Sequence, residues 1–141
     1  MSLIALGCAF KIGHTALLRA AAAHQPVTLA DEMEHLPAPA WKAIPLNLPS
    51  DGTMTIDLKV VRGDSIDAYL TTPDQLDKTV KAEMGNRKQS ISGIVNALET
   101  KALRRTIPMK QGAYYLIVCD MSIDTIAAPA SLISVKVQLN P

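Results

Sequence analysis

Between residues 41 and 139 apolar side chains recur at every second position, and that period constrains the fold more than any other feature of the chain. Ile44, Leu46 and Leu48 share one parity, and beyond Pro49-Ser50-Asp51-Gly52 the residues Met54, Ile56, Leu58 and Val60 alternate with Thr55, Asp57 and Lys59. Successive side chains of an extended strand point to opposite faces, so such a pattern buries one face and leaves the other in water. The two runs read as a hairpin. A further turn, Arg62-Gly63-Asp64-Ser65, leads to Ile66, Ala68 and Leu70 alternating with Asp67, Tyr69 and Thr71, which makes a three-stranded meander. Trp41 opens the first strand and reads as an anchor at the edge of the core.

The period then changes. Thr72-Pro73-Asp74-Gln75 carries a capping pattern with proline at the first helical position, and Leu76, Val80 and Met84 follow at four-residue spacing. This predicts a helix over 73–84. Ile91, Ile94, Val95 and Leu98 fit a helical stripe while their β-branched content suits a strand, and the helical reading is preferred for 90–99. Alternation returns at Leu103, Ile107 and Met109. Residues 113–119 are apolar on both parities, which suits a central strand covered on both faces, and Ile133, Val135, Val137 and Leu139 mark a last strand. The resulting fold class is mainly β: an antiparallel, jelly-roll-like β-sandwich with an N-terminal helix and one or two short helices inserted between strands.

Upstream, Leu3, Leu6, Phe10 and Leu17 fall near one helical stripe, with Lys11, Thr15 and Arg19 on another, so residues 1–24 read as an amphipathic N-terminal helix. A secretory leader is the rival reading, but Lys11 and Arg19 follow the apolar stretch where a leader would have them precede it. Three prolines with Asp31, Glu32 and Glu34 make 25–40 look like a linker, which leaves 41–141 as the sandwich domain.

With 141 residues the chain has the size of one domain, and 48% hydrophobic against 19% charged residues excludes disorder. The formal net charge of +1 conceals a split. Residues 31–77 hold nine acids and three bases, whereas residues 78–110 hold eight bases and two acids. Arg87, Lys88, Lys101, Arg104 and Arg105 are therefore the candidate binding residues, able to attract an anionic surface. A mutually compensating, solvated surface is the competing account. Nucleic acid is disfavoured, because aromatic residues make up only 4% and none is interleaved with the bases.

No catalytic constellation emerges. His14, His24 and His35 all lie in the expected helix or linker, no serine occupies a G-x-S-x-G turn, and the seven glycines form no phosphate loop. The expectation is a non-enzyme without cofactor or metal. Asp64 reads as a turn cap and Asp67 as exposed. Cys8 and Cys119 lack the spacing of a zinc or redox motif and read as buried thiols.

The runs Leu48-Pro49-Ser50-Asp51-Gly52-Thr53-Met54-Thr55-Ile56, Ile66-Asp67-Ala68-Tyr69-Leu70 and Gly112-Ala113-Tyr114-Tyr115-Leu116-Ile117-Val118 resemble the bacterial pre-peptidase C-terminal domain and, more distantly, GOLD-like sandwiches. The resemblance spans 41–139. It departs at the long basic stretch 73–99 and at the last strand, which lacks the family's aromatic residue. It implies a non-catalytic accessory sandwich with a binding or targeting role and a periplasmic or secreted location. The alternative is a self-assembling or membrane-surface protein, in which the N-terminal helix docks on a second chain or on lipid.

Overall fold

Inward and outward positions alternate along most of the strands in the computed structural model, which describes residues 25–85, 93–120 and 130–141. In chain order the elements are β1 (Val27–Leu36), β2 (Ala40–Leu48), β3 (Gly52–Arg62), β4 (Ile66–Thr71), helix α1 (Pro73–Met84), β5 (Val95–Thr100), β6 (Ala102–Met109), β7 (Gly112–Asp120) and β8 (Ser131–Asn140). They form two four-stranded antiparallel sheets, sheet A in the order β1-β8-β3-β6 and sheet B in the order β2-β7-β4-β5. The chain changes sheet at every connection except that between β4 and β5. This is the eight-stranded jelly roll, whose crossings close two Greek keys.

The core lies between the sheets, built from Ile44 and Leu46 of β2, Met54 and Ile56 of β3, Leu70 of β4, Leu116 and Val118 of β7, and the inward row of β8. A second, smaller cluster forms where α1 covers the outer face of sheet B, with Ala82 and Leu76 against Tyr69, Ile117, Cys119 and Tyr115. The buried half of β7 is thereby covered on both faces, as its apolar run demands. The helix begins where its cap predicts, with Gln75 Oε1 accepting the Thr72 N–H at 3.1 Å.

Several expectations are corrected. The stretch 25–40 contains β1, which pairs with β8 along its length, so the sandwich begins well before Trp41. Two of its inward positions, Glu32 and Glu34, are acids, and a bulge between Thr28 and Ala30 shifts its phase, so the apolar period that announces a strand is missing. The meander does not form either: β2 pairs with β7, β3 with β6 and β8, and β4 with β5 and β7. Alternation reports which side chains face inward and carries no information about the neighbouring strand. Residues 95–99, part of the stretch 90–99 expected to be helical, lie in the edge strand β5, where Val95 pairs with Leu70 and Glu99 takes a positive φ of 49° at a bulge. Trp41 stands on the outer face of β2, 41% exposed, rather than at the edge of the core. Asp67, expected at the surface, is buried and accepts the Glu99 N–H at 2.8 Å. Cys119 is buried as expected. The N-terminal helix and Cys8 lie outside the described residues.

Candidate binding surface

The acidic and basic halves of the chain meet because β3, from the acidic half, lies beside β6, from the basic half. Cα pairing sets Asp57 against Arg104, and their side chains approach to 3.8 Å, both well exposed. Lys110 reaches Asp51 at 3.5 Å, and Lys81 pairs with Asp77 one turn back along α1 at 2.8 Å. Much of the charge split is therefore compensated locally, by pairs of the kind that individually contribute little in water.

The candidate residues occupy different places. Lys101 is the single residue between β5 and β6, exposed, with its carbonyl accepting the Val60 N–H at 2.8 Å. Arg104 and Arg105, as neighbours on one strand, project to opposite sides. Arg104 joins the outer face of sheet A, whereas Arg105 stands opposite buried Ile56, at an inward register yet exposed because β6 is an edge. Arg87 and Lys88 lie outside the described residues.

The outer face of sheet A is uncovered by any described element. Across it runs a ladder of alternating charge, Asp31–Lys136–Asp57–Arg104, one residue from each strand. Beside this lies a hydroxyl and amide row of Thr28, Gln138, Thr55 and Thr106, with the Thr55 and Thr106 hydroxyls 3.2 Å apart. On the other side of the ladder, toward the β5–β6 link, come Lys59, Cα partner of both Ser134 and Ala102, and Arg62, Cα partner of Leu132.

Charge also guards the strand edges. Glu34 is buried at an inward register of β1 and accepts a 2.6 Å bond from Lys42 Nζ on β2, across the open side of the sandwich. Burial pushes the Glu34 carboxyl up, but hydrogen bonds with Glu32 and Lys42 outweigh it and hold the group below the ordinary glutamate value. The hydrogen bond to Glu34, assisted by burial, pushes Glu32 up. Inside, Tyr69 donates a 2.6 Å hydrogen bond to Glu83 of α1, and Ser131 donates one of the same length to Asp120. Gly63 packs against Ser131 so closely, at φ +111°, that a side chain there would collide with it.

Sequence reasoning missed Glu34, Lys42, Tyr69 and Glu83 as partners, because each pair joins elements whose contact no local pattern reports. The inward parity of Lys42, in register with Ile44 and Leu46, was the one available signal. Among the described residues no group of three or more histidine, cysteine or acidic side chains is arranged to hold a metal.

No family model matches the chain, and no curated protein matches it in sequence. Among solved structures, the chain is similar to the pre-peptidase C-terminal domain of a collagenase from Bacillus anthracis, with a TM-score of 0.52 and 11% identity over 77% of this chain and 87% of that one. At that identity the likeness concerns the fold alone, and it agrees with the resemblance carried by the three sequence runs.

Proposed function

We propose that the chain is a non-catalytic β-sandwich accessory domain that binds a protein partner or surface through its basic residues, from a periplasmic or secreted location. The observation that carries this reading is the exposure of Lys101, Arg104 and Arg105 at the start of one edge strand. Among the described residues, the only ion pair of these three is the loose, solvent-exposed contact of Arg104 with Asp57. Such charge is available to an external anion at little desolvation cost. The fold likeness to a domain of a larger protein is consistent with an accessory role.

The test is fluorescence anisotropy of a labelled polyglutamate peptide titrated with the whole chain. Binding should be strongest at low ionic strength, weaken as salt screens it, and fall several-fold in the Arg104→Gln/Arg105→Gln variant without a change in melting temperature. Absence of salt-sensitive binding would overturn the proposal.

A further inference from the structure

Two of the bases that the fold brings toward Lys101 do not come from the basic half of the sequence. Lys59 and Arg62 belong to the acidic segment, yet β3 carries them to the corner where Val60 donates its N–H to the Lys101 carbonyl. The bulge between Val60 and Arg62 puts Arg62 on the outer face with Lys59 and leaves Val61, 52% exposed, as the extra residue before Arg62. Lys59, Arg62 and Lys101 are all exposed, and none of the three belongs to an ion pair among the described residues. With Arg104 and Lys136, Lys59 and Arg62 give this face four bases against two acids, Asp31 and Asp57, while Lys101, opposite Val60, stands at its edge, in a chain whose net charge is only +1.

We infer that the corner formed by Lys59, Arg62 and Lys101 around Val61 is a docking site for an acidic protein segment that places an apolar residue between its carboxylates. This rests on the binding reading above and names its partner and its place. The excess of positive charge disfavours a second copy of the same face. Asp31 and Asp57, interleaved with the bases, disfavour a flat, uniformly anionic lipid surface laid across the whole face, whereas a narrow segment can keep its carboxylates at the corner, clear of both. Pairing as an added strand is disfavoured, because β6 carries inward Arg105 and also Pro108, both of which guard an edge. The segment therefore lies on the face, where Val61 supplies an apolar contact and the three cations supply carboxylate partners.

The experiment compares three probes on the whole chain at low ionic strength: a glutamate-rich peptide with interspersed valines, phosphatidylserine vesicles and heparin. The peptide should bind, and Lys59→Gln/Arg62→Gln should weaken it at least tenfold, while Lys78→Gln/Lys81→Gln on α1 leaves it unchanged. Val61→Ser should weaken the valine-containing peptide more than plain polyglutamate. Full peptide binding by Lys59→Gln/Arg62→Gln together with its loss in Arg104→Gln/Arg105→Gln would overturn this placement and leave the binding reading standing. Preference for vesicles or heparin over the peptide would overturn the partner class, and no binding to any probe would overturn both readings.

Discussion

Lys42 and Glu34 show how a single side chain holds two strands of different sheets together. The Glu34 side chain is only 7% exposed, so its carboxylate is tolerable there because Lys42 reaches it at 2.6 Å. A carboxyl held below its ordinary value stabilises the fold above the unfolded-state value, and that contribution is lost as pH falls through the lower folded value. The raised Glu32 has the opposite sign and loses its contribution as pH rises through its own folded value. Lys42→Met should therefore lower the melting temperature at about pH 7, and the gap to the parent should narrow at an acid pH below the lowered Glu34 value, once that carboxylate is protonated in both proteins. Paired thermal melts at the two pH values measure this. At Tyr69 the partner is Glu83, with both residues buried. Tyr69→Phe removes the buried hydrogen bond that the Glu83 carboxylate accepts and should cost about 1–3 kcal/mol in urea unfolding. Burial, and then the adjoining Glu83, hold the Tyr69 hydroxyl far above the ordinary tyrosine range. In the native protein it should not titrate, and because the unfolded chain releases that proton, stability should decline above about pH 10.

At the scale of elements, edge strands explain most of what looks anomalous. β1 turns Glu32 and Glu34 inward, β2 turns Lys42 inward and carries Pro45, and β6 turns Arg105 inward and carries Pro108. Inward charge and proline are devices by which open edges avoid pairing with other chains. In the interior of the sheets, β8 carries Ile133, Val135, Val137 and Leu139 inward without any such charge, since β1 and β3 flank it on both sides. A chain starting at Trp41 would turn β8 into an unguarded edge. It should lose cooperative unfolding or aggregate, whereas a chain starting at Gln25 should keep a β-type far-UV spectrum and a single transition. Equal melting temperatures for the two would show that β1 is dispensable.

For the whole molecule, the jelly roll joins the beginning of the described chain to its end, β1 lying beside β8, while a different pairing, β3 with β6, brings the two charged halves together. Inward residues such as Met54, Ile56, Val135 and Val137 were legible in the sequence, because parity within a strand is decided by neighbours two positions away. So was α1, whose start is set by Thr72, Pro73 and Gln75 acting within one turn. The candidate surface was legible only in part: Lys101 and Arg104 stood out in a basic run, while Lys59 and Arg62 were hidden in an acidic one. β1 was hidden because its inward acids erased the apolar period. Strand partners, sheet membership, the burial of Glu34 and Glu83 and the meeting of Lys59 with Lys101 were all decided by tertiary structure. Each depends on contacts between residues distant along the chain, and those contacts acquire their energy only once the two sheets have closed on each other.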